Sequence, residues 1–206
     1  MKVYEQLSPR HIDFIAAQHM FFVATAPLSV EGHVNVSPKG YDSFSVIDPA
    51  RVAYIDLGGS GIETHAHVQE NGRICLMFCG FEETPLILRL YGHGVAHPFG
   101  SPGFQTLRPR FPSIDVPVRG IIEVSVTRVQ DSCGWGVPFY EFKGDRPKLR
   151  EMNATRTQEA KLERVYERNA LSIDGLPGMA RPTEDAAQAS AQRTSSSTSA
   201  PSDATT

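Results

Sequence analysis

The chain has 206 residues, which is enough for one domain with a hydrophobic core and a tail. Its net charge of −3 and its pI of about 6.2 give no electrostatic basis for binding nucleic acid or an anionic membrane surface. No apolar run has the length of a signal-peptide core or a membrane span, so we expect no membrane partner. Cys75, Cys79 and Cys133 lack the spacing of a metal site. Cys75 and Cys79 lie four apart in one predicted strand, and we expect them to be buried thiols in a reducing cytoplasm.

The first predicted element is a helix, with Ser8 as N-cap, Pro9 at its first position and an apolar stripe through Ile15. Strand patterns then dominate, and they cover Phe21–Ala26, His33–Ser37, Ser43–Ile47, Val52–Leu57, Ile74–Cys79, Leu86–Val95 and Gly120–Val129. A short helix is predicted at Ile62–Glu70, and a charged helix packed outside at Pro147–Asn169. Short strands joined by hairpin-length turns favour a closed or nearly closed antiparallel barrel over a doubly wound parallel sheet.

The end of the chain differs in composition from the rest. Beyond residue 186 it consists mostly of Ala, Ser and Thr, and it has no large apolar residue that could offset the entropy of ordering. We therefore expect one domain over residues 1–179 and a disordered tail over residues 180–206.

A glycine-rich turn, Gly58–Gly61, leads from the fourth predicted strand into the helix at Ile62–Glu70. Glycines allow backbone N–H groups to approach a ligand closely, and the first turn of a helix carries unpaired N–H donors. The sequence therefore predicts an anion site, most often for phosphate, with a tight turn and no ligand as the alternative. Ser60 and Glu63 have the spacing of a capping box, and Glu63 would either reach back to Ser60 or repel the anion. Thr64 adds a hydroxyl one residue later.

Two further segments place polar side chains where a ligand could use them. In Asn35–Gly40, Ser37 and Lys39 fall on the same side of a strand end, which suits a phosphate, the polar edge of a ring or a solvated turn. Arg89 lies in an otherwise apolar strand, and a buried arginine needs a bound anion or a structural carboxylate as partner. Trp135 follows the last strand and would either cover a planar ligand or pack.

The chain matches none of the common catalytic motifs. The seven histidines do not form a metal set, and no Gly-x-Ser-x-Gly turn occurs. The glycine turn also lacks the third glycine and the later acidic residue of a dinucleotide-binding fingerprint. We therefore nominate no catalytic residue, and we expect neither a metal centre nor a Rossmann domain.

Several segments, taken in order, resemble the pyridoxamine 5′-phosphate oxidase-like family. They are Phe21–Ala26, Gly32–Gly40, the Asp56–Thr64 loop, Glu70–Phe78 and Leu88–Gly94, and the resemblance covers roughly residues 5 to 178. It implies a mainly β (α+β) fold, namely a six- to seven-stranded antiparallel split β-barrel with peripheral helices. It also implies a homodimer with two FMN sites at the subunit interface.

In that family the flavin phosphate is held by the segment that here reads Leu57–Thr64, and the ring lies against Asn35–Lys39. The resemblance thus nominates as cofactor-binding residues Asn35, Val36, Ser37, Lys39, Gly58, Ser60, Gly61, Thr64 and Arg89. FMN is the expected cofactor, with a deazaflavin and haem as alternatives.

The chain departs from the family pattern in two places. Many FMN-binding members carry a lysine or arginine where this chain has Ile62 and Glu63, so Lys39 or Arg89 would have to supply the positive charge. The segment Asn169–Gly178 also replaces the arginine- and histidine-containing substrate motif of true pyridoxamine phosphate oxidases. We therefore expect a flavin-dependent oxidoreductase that acts on another small molecule. The alternatives are a flavin-binding or sensing protein without turnover and a dimeric scaffold.

Overall fold

One eight-stranded sheet organises the chain, in a computed structural model that describes residues 1–111, 118–154 and 157–181. The strands are β1 (Lys2–Tyr4), β2 (Phe21–Thr25), β3 (Asn35–Lys39), β4 (Phe44–Asp48), β5 (Arg51–Leu57), β6 (Arg73–Cys79), β7 (Leu86–Pro98) and β8 (Val118–Cys133). The helices are α1 (Pro9–Ala16), α2 (Glu63–Glu70), α3 (Pro102–Leu107), α4 (Lys148–Ala154) and α5 (Gln158–Arg168), with a 3₁₀ turn at Arg108–Arg110.

The strand order is β3-β2-β6-β7-β8-β5-β4, with β1 paired to the far end of β8. Every pair is antiparallel, and β7 and β8 pair along most of their length at the centre. Alternate side chains of these strands point to the same side, and their burial creates the main core. Core residues with no exposed surface include Val23, Leu76, Leu88 and Leu90. Helix α1 covers one end of this core through Phe14 and Ile15.

The two end strands, β3 and β4, do not pair with each other in the described residues. Instead, Lys39 of β3 forms an ion pair with Asp56 of β5, and Asn35 of β3 donates a hydrogen bond to Thr64 of α2. The sheet therefore curls until its first strand meets β5 and α2 through side chains rather than through a backbone ladder. This is a split barrel with peripheral helices, and the predicted fold class is confirmed.

The elements differ from the sequence-based expectation in three places. β1 adds an eighth strand, and its three residues are too few to show a period. The single helix expected over Pro147–Asn169 is two helices, because Thr157 caps α5 by accepting a hydrogen bond from the Ala160 N–H at 3.3 Å. Helix α3 was not predicted, although Ser101 provides its N-cap.

The predicted domain boundary falls at Met179, which is 4% exposed. Of the predicted tail, only Ala180 and Arg181 are described, and residues 182–206 lie outside the described part of the chain. No helix in the described ranges is long and apolar enough to cross a membrane.

Candidate functional site

The glycine turn between β5 and α2 is open on its outer side. Ser60 is exposed, and a Cβ added at Gly59 would have no atom within 4 Å. Gly61 has a φ of +90°, in the region that favours glycine, and its carbonyl oxygen accepts a hydrogen bond from Nη1 of Arg119. Arg119 therefore anchors the turn on the protein side, while Gly59 and Ser60 are accessible to solvent.

The start of α2 is occupied by an acidic side chain of the helix itself. The helix begins at Glu63 with Ile62 as N-cap, and no side chain caps it. Since a capping box needs Ser60 as N-cap and Glu63 as the third helical residue, the predicted capping box is wrong. The Glu63 carboxylate instead folds back over Gly61, and its Oε1 accepts a hydrogen bond from the Ile173 N–H at 3.3 Å.

A line of polar side chains joins β3 to β5, β8 and α2. This polar seam consists of Asn35, Ser37, Lys39, Asp56, Thr64 and Arg119. Its three β3 members share the inner face of the strand because they alternate along it. At one end of the seam, Nδ2 of Asn35 donates to Oγ1 of Thr64 at 2.9 Å and to Oγ1 of Thr25 at 3.3 Å.

Asp56 holds two cations at the other end of the polar seam. Its Oδ1 lies 2.9 Å from Nη2 of Arg119 and 3.8 Å from Nζ of Lys39, and the exposed fractions of the three side chains are 4%, 7% and 18%. Burial lowers the pKa of the Lys39 ammonium, an effect that the Asp56 charge opposes and the Arg119 charge reinforces. Two cations and one carboxylate leave a single net positive charge in this cluster.

Two buried donors of the seam have no hydrogen-bond partner among the described residues: Oγ of Ser37 and Nε of Arg119. Leaving a buried polar group unpaired costs about 1–3 kcal/mol, so such groups mark places where a ligand or water completes the site. Ser37 lies between Asn35 and Lys39 on the inner face of β3. The unpaired hydroxyl therefore stands between the amide end and the charged end of the seam.

A buried histidine of α2, His67, lies next to the Asn35 end of the polar seam. Nδ1 of His67 is 2.9 Å from Oγ1 of Thr25, and its Nε2 is buried without a partner in the described residues. Burial lowers the pKa of both His67 and His65, which favours their neutral forms at pH 7. These imidazoles therefore contribute shape and hydrogen bonding but no positive charge.

Residues 169–179, here called the C-terminal segment, cover the outside of the α2 start. Asp174 is bound to His33, with Oδ1 2.6 Å from Nδ1 and Oδ2 accepting the backbone N–H at 2.8 Å. These hydrogen bonds lower the pKa of Asp174. Ile62 packs with Met179 in a small separate core. The C-terminal segment therefore covers Ile62 and Glu63 at the start of α2, while Gly59 and Ser60 of the turn stay exposed.

The nine predicted cofactor-binding residues fall into two groups. Seven lie along the polar seam or in the adjoining turn, namely Asn35, Ser37, Lys39, Gly58, Ser60, Gly61 and Thr64. Val36 and Arg89 do not. Val36 is 61% exposed because it occupies the outer face of β3.

Arg89 lies on the outer face of the sheet. Arg89 of β7 pairs with Met77 of β6, and Met77 pairs with Phe22 of β2. Phe22 then pairs with Pro38 of β3. Since directly paired residues share a face, Arg89 faces away from Lys39, the neighbour of Pro38. It is only half-buried, and its Nη1 lies 3.5 Å from Oγ of Ser132. The expectation of a buried Arg89 beside the glycine turn is therefore wrong.

Arg119 is the buried arginine that the argument required, and sequence reasoning missed it. It opens β8 in the apolar context Val118-Arg119-Gly120-Ile121, so the pattern used for Arg89 was also present here. The predicted strand began at Gly120 and excluded it. Its partner Asp56 gave a similar signal, as an acid at the end of a buried strand.

Comparison with known proteins supports the likeness seen in the sequence. Residues 7–133 match the family model described as pyridoxamine 5′-phosphate oxidase. A relative from Aspergillus flavus, the pyridoxamine 5′-phosphate oxidase family protein ustO, is 38% identical over 192 residues, which cover 85% of this chain and 77% of the relative.

Solved structures are similar at lower identity. HupZ of Group A Streptococcus is 20% identical with a TM-score of 0.46, over 61% of this chain and 93% of that one. A putative pyridoxamine 5′-phosphate oxidase from Lactobacillus delbrueckii is 16% identical with a TM-score of 0.47, over 63% and 99% of the two chains. An FMN-binding protein from Syntrophomonas wolfei is 14% identical with a TM-score of 0.42, over 57% and 80%. On the family model and the Aspergillus relative, the chain belongs to the pyridoxamine 5′-phosphate oxidase family.

Proposed function

We propose that this protein binds FMN along the polar seam and acts as a flavin-dependent oxidoreductase on a small molecule. The observation that carries the proposal is the pair of unpaired buried donors, Ser37 Oγ and Arg119 Nε, beside an open glycine turn. They fit a ligand with several polar acceptors, and a flavin mononucleotide carries such acceptors on its ring, its ribityl chain and its phosphate. Membership of the family supports the choice of flavin.

Arg119 and Thr64 are the residues that would hold the phosphate, with Ser60 as a further hydroxyl in the turn. Arg119 takes the role first expected for Arg89, because it is buried and already bonded to the Gly61 carbonyl. The N-terminus of α2 adds unpaired N–H groups and the positive end of its dipole. Together these groups provide fixed positive potential where the ligand is most negative.

The edge of β3 suits the ring. β3 ends the sheet, so one side of its backbone has no partner strand in the described residues, and its N–H and C=O groups are free to pair with the polar edge of a planar ring. Ser37 would donate to the ring or ribityl oxygens from the inner face. A bound flavin supplies the electron-transfer chemistry, while these residues fix its orientation and exclude water from one side.

Glu63 is the member of the site whose charge opposes a phosphate. Its carboxylate covers Gly61 and cancels the single net positive charge of the Asp56 cluster. Phosphate binding therefore requires the half-buried Glu63 side chain to rotate away from the turn and to give up the Ile173 hydrogen bond. This lowers the affinity for the phosphate.

A second copy of the chain is the partner that the proposal includes. The outer face of β3 and the turn before it expose large apolar side chains, namely Leu28, Val30, Val34 and Val36. An exposed edge strand with an apolar outer face is a surface that proteins cover. Light scattering at micromolar concentration should therefore give a homodimer.

The test is an FMN titration of two serine variants. Ser37→Ala removes the unpaired hydroxyl of the seam, and Ser43→Ala removes another buried hydroxyl without a described partner, outside the seam. Neither change breaks a hydrogen bond of the protein itself, so neither variant should melt at a lower temperature than the wild type. Ser37→Ala should weaken FMN about 2- to 12-fold, which corresponds to about 0.5–1.5 kcal/mol for one hydrogen bond. Equal FMN affinities for the two variants would show that the polar seam is not part of the cofactor site.

A further inference from the structure

A cavity of about 590 Å³ lies beyond the C-terminal end of β3. Its walls are the turn after α1, the chain from Pro38 to Tyr41, the loop at Phe81 and a strap without regular secondary structure at residues 138–147 that continues into α4. Small-molecule sites have volumes of about 300–1,000 Å³, so the cavity has room for one such ligand.

Aromatic side chains line this cavity as two contacting pairs. His19 stacks on Phe142 with ring centroids 3.8 Å apart and 10° between their planes. Phe81 and Tyr140 meet edge to face at 5.6 Å. All four rings line the cavity, and Tyr41 adds a fifth. This lining favours a planar apolar ligand that packs against the open faces and edges of these rings.

The strap is fixed to the body of the protein at two points. The Tyr140 N–H donates to the Phe81 carbonyl at 2.9 Å, and the Tyr41 hydroxyl donates to the Arg146 carbonyl. Arg150 also lies over the Tyr41 ring, 5.0 Å from its centroid. These contacts hold the strap beside the end of β3, where it forms one wall of the cavity.

The backbone at Tyr41 is held in an unfavourable conformation. Its φ is +64°, and the next residue, Asp42, has a φ of +50°. Left-handed geometry is costly for residues other than glycine, and it persists where the surroundings enforce it, often beside a binding site. Here it turns the chain so that the Tyr41 ring faces the strap.

The charged side chains that line the cavity balance in number, since three are cations and three are carboxylates, namely Lys39, Arg146, Lys148, Glu82, Glu141 and Asp145. Lys39 pairs with Asp56, Asp145 with Arg150, and Lys148 with Glu151. The cavity therefore has no excess of one charge that would select an ionic ligand. Its recognition elements are the ring faces.

We infer that this cavity is the substrate site and that its substrate is a planar, uncharged aromatic molecule. The inference rests on the proposed function, because Pro38 and Lys39 belong both to the cavity wall and to the strand against which the flavin ring is placed. A ligand in the cavity would thus lie beside the flavin ring at the end of β3.

The test uses 2-naphthol as a fluorescent probe, with two matched strap variants. Phe142→Ala removes a wall ring, whereas Phe139→Ala removes a ring that is 84% exposed and does not line the cavity. The wild type should bind 2-naphthol saturably, Phe142→Ala should weaken binding at least fivefold, and Phe139→Ala should stay within twofold. His19→Ala, which removes the ring stacked on Phe142, should weaken binding as Phe142→Ala does.

Flavin absorbance recorded in the same titration separates this inference from the proposed function. In FMN-loaded protein, 2-naphthol should shift the long-wavelength flavin band in the wild type and in Phe139→Ala but not in Phe142→Ala. Absence of saturable 2-naphthol binding, or equal binding by both strap variants, would overturn the cavity inference while leaving FMN binding intact. A wild-type protein that binds 2-naphthol saturably but cannot be loaded with FMN would instead overturn the proposed function.

Discussion

Replacing Asp56 with Asn is the change that most directly tests the charge arrangement of the polar seam. The amide oxygen can still accept a hydrogen bond from Arg119, so the substitution removes the negative charge and little volume. Two buried cations then remain without a counter-charge, with side chains only 7% and 18% exposed. Removing one partner of a buried ion pair costs about 3–5 kcal/mol, and the retained hydrogen bond places the expected loss near the lower end, at about 3 kcal/mol.

The matched control is Asp48→Asn. Asp48 also pairs with an arginine, Arg51 at 2.7 Å, but both side chains are substantially exposed. Exposed pairs contribute little because water screens them, so this variant should lose much less stability than Asp56→Asn. Urea denaturation followed by circular dichroism measures both. Equal losses in the two variants would refute the claim that the seam charges are buried and coupled.

The same variant has a defined pH dependence. The folded-state pKa of Lys39 is below its ordinary value of 10.5, so the unfolded chain binds more protons in the interval between the two values, and stability rises with pH there. Asp56 is the charge that keeps this pKa from falling further. As the pH rises toward 10.5, Asp56→Asn should therefore gain more stability than the wild type does. Parallel pH profiles would contradict the coupling of Lys39 to Asp56.

Three further predictions follow from the site and the core. Glu63→Lys should tighten FMN in a titration, because it reverses the charge that opposes the phosphate; unchanged or weaker binding would exclude a phosphate at the α2 start. Replacing both Cys75 and Cys79 with Ala should lower the free energy of unfolding by about 1–3 kcal/mol through lost packing, and stoichiometric zinc in the wild type would contradict the assignment as plain thiols. A chain ending at Ala180 should keep its melting temperature and its ligand, and a loss of several degrees would show that the tail docks.

The strands could be predicted because their signals are local. An alternating or continuous apolar run between turn residues identifies each of the seven longer strands, and the same period places Asn35, Ser37 and Lys39 on one face. The partners of these residues could not be predicted in this way. Asp56 and Arg119 belong to strands that approach β3 only because the sheet curls. Local sequence patterns do not predict which side chains make contact where two strands are not paired.

Arg89 and Arg119 illustrate the same limit. Each is an arginine in an apolar strand, so the local pattern treats them alike. Strand register decides between them, since it turns Arg89 to the outer face and Arg119 toward Asp56. The start of α2 shows a second limit, because Glu63 is drawn to Ile173, a contact between residues 110 positions apart.

The absorbance spectrum of the protein, purified and then incubated with FMN and freed of excess ligand, tests the central claim most directly. We expect the wild-type protein to retain absorbance at flavin wavelengths, with about one FMN bound per chain. Ser37→Ala should lose its bound FMN more readily than Ser43→Ala does. A colourless wild-type protein, together with a Glu63→Lys variant that also retains no flavin, would contradict a flavin site at the polar seam.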